Sequence, residues 1–386
     1  MEIKLFDKRN IEELAWESFS NGQEAKAYLL PLIQEGTQAF IDNLIAEVSV
    51  LAAGKTLLPI VKPQRKTKIP NSYIASNITQ YFHYSQEEIL NNAKYSPFLK
   101  RLSKLAFPPV ISLAKAMGFE DVVFINNWLL SSNLAPQLDL QLLPDIKACL
   151  TKHFPNSALV FKGVTEATDQ QLKVSLESIG FASVVSRQVY VMKPETKKYK
   201  KKRPWVTDKK LWEKAKEEGM EWSQIQLLCN GDAALTNQYY TELYLEKYSY
   251  FNPQYTTGYI ELAQKAGILT FHQLKEKGKI LAVQAFSEVN GVLTTPFIGY
   301  KQDEPLEKGL YRIMNMRLMD EAIQKGLVLN MSSGASKFKK ARAGEASFEY
   351  NMTYSCHLPF YTRFIWQIML FFSEKYIKPS MIKYEV

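Results

Sequence analysis

The chain has 386 residues, 46% of them hydrophobic and 12% aromatic, with a net charge of +9. That length and apolar content exclude a disordered segment and provide for more than one hydrophobic core. The excess of Lys and Arg favours anionic partners such as phosphates, nucleic acid or an anionic surface, with plain solvation of a large surface as the alternative.

In chain order, helical periodicity covers much of residues 8–43. A hairpin follows: Ala46 to Ala52, a turn at Ala53-Gly54-Lys55, then Thr56 to Val61. Pro63 and Pro70 interrupt the chain before helical patterns near 85–93 and 98–117. The strand Val122 to Ile125, a helix near 142–153, the strand Ala158 to Phe161, a helix from Asp169 to Ile179 stopped by Gly180, and a strand Ser183 to Met192 complete the first half. The run Lys197-Lys198-Tyr199-Lys200-Lys201-Lys202-Arg203-Pro204 is too densely charged to be buried and is expected to be a linker over 197–207 or a long surface loop. It divides a first domain, 1–196, from a second, 208–386.

The second half starts with helices over 208–218 and 232–247, the latter capped by Asp232. After the break at Asn252-Pro253 comes a helix over 255–266. Three strands follow, Ile268 to Leu274, Ile280 to Ser287 and Val292 to Ile298, turned at Lys277-Gly278-Lys279 and Asn290-Gly291. A loop from Tyr300 to Lys308 leads to a helix from Gly309 to Gln324. The strand Leu327 to Met331, the turn Ser332-Ser333-Gly334, a short helix to Arg342, a strand Ser347 to Tyr354 and an apolar helix from Pro359 to Tyr376 end the sequence.

Cys149, Cys229 and Cys356 are odd in number and far apart, as in a reduced cytoplasmic protein. His83, His153, His272 and His357 lack ligand spacing, so no metal site is expected. The opening MEIKLFDKRNIEEL has no apolar stretch of the signal-peptide kind. The longest apolar stretch, within Phe364 to Phe372, falls short of the ~20 residues that a membrane span needs. The last helix is apolar nearly all round. It is expected to be buried, with docking on a membrane surface through Lys375, Lys378 and Lys383 as the alternative.

The order helix, three antiparallel strands, helix, strand, helix, strand after residue 255 carries more information than any single residue. A meander followed by βαβ units makes a mixed sheet with helices on both faces. Here the sequence resembles the acyl-CoA N-acyltransferase (GNAT) superfamily. The resemblance extends to the branch of the Fem-type peptidoglycan aminoacyltransferases and BioF2-like acyltransferases, from Tyr250-Phe251-Asn252-Pro253 to the final helix. It rests on Gly309-Leu310-Tyr311, Gly326-Leu327, Leu329-Asn330-Met331-Ser332-Ser333-Gly334 and Ser336-Lys337-Phe338-Lys339-Lys340. The expected fold is α/β (α+β), a GNAT-like mixed sheet flanked by helices, in two tandem GNAT-like domains of which the first is degenerate.

The resemblance implies transfer of an acyl group from acyl-CoA, or of an aminoacyl group from aminoacyl-tRNA, to an amine on a small molecule or peptide. The donor pyrophosphate would lie at a helix N-terminus, here Lys308, Gly309 and Leu310, with Ser332, Gly334 and Phe338 beside it. In place of the family's usual Gln/Arg-x-x-Gly-x-Gly/Ala loop stands Glu304-Pro305-Leu306-Glu307-Lys308-Gly309, whose glutamates are ill suited to a pyrophosphate. Lys339 matches the family's Phe-Lys lysine and is placed to stabilise a developing oxyanion; a solvated lysine on a basic helix is the other reading. Tyr300 and Ser333 are candidate proton relays. Glu288 and Glu349 are candidate bases, and His83 is a candidate for an acceptor site. The competing functional class is a non-catalytic tandem-GNAT protein that holds an anionic partner such as RNA or a membrane surface.

Overall fold

The computed structural model describes residues 3–65, 67–91, 95–194, 202–228 and 231–384. Its strands are β1 (Lys4–Phe6), β2 (Ala46–Ala53), β3 (Thr56–Pro63), β4 (Val122–Ile125), β5 (Ala158–Thr165) and β6 (Ala182–Met192) in the first half. The second half adds β7 (Met220–Gln224), β8 (Thr270–Glu276), β9 (Lys279–Val289), β10 (Val292–Tyr300), β11 (Val328–Asn330) and β12 (Glu345–Tyr354). All belong to one sheet of order β1-β2-β3-β4-β5-β12-β6-β11-β10-β9-β8-β7.

That order repeats itself from both ends. Each half contributes five strands of which the last two run parallel, β4 with β5 and β10 with β11. At the centre the two remaining strands are exchanged: β12 of the second half pairs with β5, and β6 of the first half pairs with β11. They also pair with each other over Glu345–Thr353 and Ala182–Val191. The boundary expected at 197–207 therefore separates two halves of the sequence but not two closed sheets, because each half is completed by the other's last strand.

The helices are α1 (Gly22–Glu35), α2 (Ser85–Asn91), α3 (Pro97–Ala116), α4 (Leu143–His153), α5 (Gln170–Ser178), α6 (Arg203–Glu217), α7 (Gly231–Tyr240), α8 (Thr257–Lys265), α9 (Leu310–Lys325), α10 (Ser336–Ala341), α11 (Phe360–Phe372) and α12 (Lys378–Tyr384). One face of the sheet carries a single core built by both halves: Tyr28 and Leu29 of α1, Phe124 of β4, Tyr259 of α8, Phe297 of β10 and Trp366 of α11 all belong to it. The opposite face carries two separate cores, one under α4 and α5 and one under α9 and α6. With both faces covered, β5 is buried along its whole length, as in sheets clothed by helices on each side.

Some expectations shift. Helix α6 begins at Arg203, inside the expected linker, because Pro204 suits a first helical turn and Asp208 draws in two arginines. The rest of the basic run, 197–201, lies outside the described residues. Asp232 sits in the first turn of α7, which starts at Gly231, rather than capping it. The segment 8–21 forms short single-turn helices instead of a continuous one. The last helix continues past Tyr376 through a π-helical turn, Ser373–Ile377, into α12.

Candidate active site

The site grows from the two places where parallel strands part. In the first half the chain leaves β4 at Asn126 and Leu129, both left-handed at φ 59° and 57°. Asn tolerates that region because its short side chain bonds locally. Asn126 Nδ2 donates to Leu134 O at 2.9 Å, and Asn127 Oδ1 and Asn133 Oδ1 accept the backbone N–H groups of Leu129 and Trp128. So pinned, the loop after β4 reaches across to the second half. Tyr255 OH donates to Leu129 O at 2.9 Å, and Ser131 Oγ donates to Pro296 O at 2.8 Å.

In the second half β10 and β11 pair only over Val292–Thr294 and Val328–Asn330, and a bulge between Thr294 and Phe297 turns β10 away. Ser131 enters this opening. Beyond β11 the chain turns through Ser332 and Ala335, left-handed at φ 60° and 48°. Ser132 Oγ donates to Ser332 Oγ at 3.1 Å, so the loop after β4 and the turn after β11 are tied together.

Between them lies a cavity of about 920 Å3, lined by residues of both halves, among them Tyr73, Lys162, Arg187, Ser333, Phe338 and Glu349. Arg187 on β6 and Glu349 on β12 form its floor with two bonds, Nε–Oε1 at 3.0 Å and Nη2–Oε2 at 2.8 Å. Arg187 Nη2 also donates to Ser132 Oγ at 3.1 Å. Burial works most strongly against the Arg187 charge, but the attraction and hydrogen bond of Glu349, with Tyr73 and Tyr84, together outweigh it and hold the guanidinium above its ordinary value. Gln80 bridges the floor to the wall by donating to Ser186 Oγ at 2.8 Å and accepting from Asn351 at 3.1 Å. On α2, burial raises the Glu88 carboxyl, and Glu87 accepts a short hydrogen bond from Ser249.

Two lysines are buried here. Lys162 on β5 donates to Ile74 O at 2.8 Å, and burial, only partly countered by Glu349, brings its ammonium down to about 8. Lys339 on α10 donates to Ser332 O at 3.1 Å and Ser333 O at 2.6 Å. Burial and then the nearby Arg187 charge push it down to about 7. Its ammonium sits behind the turn, outside the cavity lining, and holds the left-handed turn from within. It is neither a solvated surface lysine nor a group that faces the cavity.

The structure thus brings Ser332, Ser333, Gly334, Phe338, Lys339 and Glu349 together. It places Lys308, Gly309 and Leu310 elsewhere. Lys308 is held by Glu276 and Glu304, each at 2.8 Å; a Cβ on Gly309 would fall 2.5 Å from Leu211 of α6; and Leu310 is buried in the core. Tyr300 ends β10 beside Tyr311, which in turn meets Phe338 at 5.0 Å between ring centres. Glu288 pairs with Lys325 on the surface, and His83 stacks on Phe251. Tyr73, Ser131, Lys162 and Arg187 had no place in the sequence reading. The one hint was a basic residue inside a strand rich in apolar residues, Lys162 in ALVFKGVT and Arg187 in ASVVSRQVYVM. Among the described residues no group of three or more His, Cys, Asp or Glu could hold a metal, and no helix is long and apolar enough to cross a membrane.

No family model and no curated protein matches the chain. Among solved structures, FemX superposes over 96% of this chain and 100% of its own at a TM-score of 0.51 and 8% identity. A tandem GNAT protein from the clavulanic acid biosynthesis pathway covers 92% of this chain and 98% of its own at a TM-score of 0.38 and 9% identity. The L-PGS of Bacillus licheniformis covers 57% and 74% at a TM-score of 0.42 and 14% identity. With its two parallel-strand openings and its superposition on FemX over 96% of its length, the protein has the fold of FemX.

Proposed function

We propose that the chain is an N-acyltransferase that moves an acyl group from acyl-CoA, or an aminoacyl group from aminoacyl-tRNA, onto the amine of a small molecule or peptide in the central cavity. The observation that carries this reading is the buried Lys162 beside the Arg187–Glu349 pair on the cavity floor, with Ser333 on its wall. In this reaction the amine nitrogen attacks the donor carbonyl carbon and the C–N bond forms. The tetrahedral oxyanion then collapses and expels the CoA thiolate or the tRNA ribose oxygen. Neutral Lys162 takes the proton released by the amine, which suits a base titrating near the working pH. The Arg187 guanidinium and the Ser333 hydroxyl face the developing negative charge. Lys339 acts through the turn that presents Ser333, as a positioning residue.

A second reading, binding of an anionic partner without catalysis, is favoured by the net charge of +9 together with the engagement of Lys308 by two carboxylates, which withdraws that ammonium from a donor pyrophosphate.

The test is transfer from labelled acetyl-CoA, longer acyl-CoA and aminoacyl-tRNA to a panel of amines, with calorimetric titration of each donor. Transfer from one donor class that falls about 100-fold in Lys162→Met supports the enzyme. Silence with every donor, alongside salt-dependent tRNA binding, moves the conclusion to the binder.

A further inference from the structure

Helix α3 is apolar on two opposite faces. Ser103, Ile111 and Ala114 are buried against the core, yet Phe98, Leu105 and Leu113 point outward at 75%, 69% and 57% exposure. The outward residues recur at helical spacing, so they form a stripe of their own. The segment Phe360–Tyr384 does the same: Ile365, Trp366 and Met369 are buried, while Phe360, Phe364 and Phe371 are exposed at 74%, 54% and 52%. Of the nineteen exposed large apolar and aromatic side chains among the described residues, five lie on α3 and seven on Phe360–Tyr384. Water penalises such a concentration, and it marks a surface that something else covers.

The two segments lie over one core and meet at both ends. Phe119, just past α3, packs on Trp366 at 4.7 Å between ring centres, and Tyr95, just before α3, packs on Tyr384 at 4.5 Å. Their charge is one-sided. Pro97–Ala116 carries four basic residues and no acidic one, and Phe360–Tyr384 carries four basic residues and a single acidic one, Glu374. Two copies of this face would set these cations against each other, so a self-pairing is electrostatically poor. Outward aromatic stripes flanked by Lys and Arg match the requirement for a helix lying in the headgroup region of an anionic bilayer. Met381 of α12 lines the central cavity, so the cavity opens beside this face.

We infer that α3 together with Phe360–Tyr384 forms a docking surface for anionic phospholipid membranes. The inference stands on exposure and charge and does not rest on the transferase reading.

The test is flotation of the full chain with phosphatidylglycerol–phosphatidylcholine vesicles and with pure phosphatidylcholine vesicles, at low and at high salt. Two variants are compared: Phe98→Asp/Leu105→Asp/Phe364→Asp on the apolar stripes, and Arg101→Glu/Lys104→Glu/Lys375→Glu on the basic flanks. All six side chains are exposed, and unchanged melting verifies folding. The expected result is binding to the anionic vesicles that each variant weakens by about tenfold or more, with little binding to the neutral vesicles. The inference is overturned by absence of binding to anionic vesicles at low salt, by binding that neither variant changes, or by a wild-type dimer that the apolar variant converts to a monomer.

Discussion

Arg187 and Glu349 come from opposite halves of the sequence and meet on adjacent exchanged strands, bonded twice at 3.0 and 2.8 Å on the floor of the central cavity. Their side chains are 16% and 6% exposed, so each is the other's main source of compensation for lost water. Glu349→Leu or Arg187→Met alone leaves one charge buried and is expected to lower unfolding free energy by about 3 kcal/mol. The double variant Arg187→Met/Glu349→Leu is expected to recover most of that loss. Denaturant unfolding of the three variants checks the prediction, and additive single costs in the double variant would sink it.

Gly163 follows Lys162 on β5 with φ +77°, and a Cβ there would lie 2.6 Å from Asn133 O. The loop after β4 can press against β5 only because no side chain stands between them. Gly163→Ala adds both left-handed strain and a backbone collision, at an expected cost of about 3 kcal/mol. It should also enlarge protease access to residues 126–139, because Asn133 would be pushed off β5. Limited proteolysis beside a melting curve reads both effects, and a variant as stable and as resistant as wild type would contradict the account.

What the sequence displayed was local. The turns Lys277-Gly278 and Asn290-Gly291 are left-handed at both residues, as their composition demands, and they fix the meander β8-β9-β10 from within. The expected meander, the helix starting by Gly309 and the strand before Ser332 therefore stand in the structure in that order. What the sequence hid was non-local. Nothing in Ala182–Met192 or Glu345–Tyr354 says which strand each will pair with, since the side chains of a strand do not name its neighbours and both pairings cross from one half of the chain to the other. Lys162 lies just past the expected strand Ala158 to Phe161, and only the fold brings the segment around Ile74 over it, where the Ile74 carbonyl accepts a hydrogen bond from the ammonium. The short edge strands β1 and β7, with 3 and 5 residues, carry too few alternations to announce themselves.

Asp208 explains why α6 reaches back into the basic run. Only 1% exposed, it accepts from Arg312 Nε of α9 at 2.7 Å and from Arg342 Nε, just after α10, at 2.6 Å. One carboxylate thereby joins three segments around the turn that Lys339 holds. Asp208→Ala strands the buried Arg342 and is expected to cost about 4 kcal/mol. Arg312→Ala leaves Asp208 paired with Arg342 and removes only a partly exposed partner, so it is expected to cost about 1 kcal/mol or less. Unfolding curves that rank the two in the reverse order would show that the network is organised around Arg312 instead.

The pH dependence of stability offers a reading of the two buried lysines. Lys339 falls from its ordinary 10.5 to about 7 on folding, chiefly through burial, and Lys162 falls to about 8. Between those values and 10.5 the unfolded chain holds protons that the folded chain has released. Unfolding then takes up protons, so stability rises with pH across that window. Below about pH 7 both states hold the Lys339 proton, and the folded state bears the full cost of its burial. Near pH 10 the sign reverses, because Tyr28, Tyr240 and Tyr259 are buried and held un-ionised while the unfolded chain's tyrosines begin to ionise. The expected profile is a melting temperature that climbs from pH 7 to about 9.5 and then falls. Lys339→Met removes the climb between about pH 7 and 8, and above about pH 8, where both lysines contribute, either Lys339→Met or Lys162→Met makes it shallower. Arg187→Met moves the onset upward, since the Arg187 charge is part of what depresses Lys339. A wild-type profile that is flat or falling from pH 7 to 9, or a Lys339→Met profile that still climbs between pH 7 and 8 as the wild type does, would show that Lys339 keeps its proton in the folded protein.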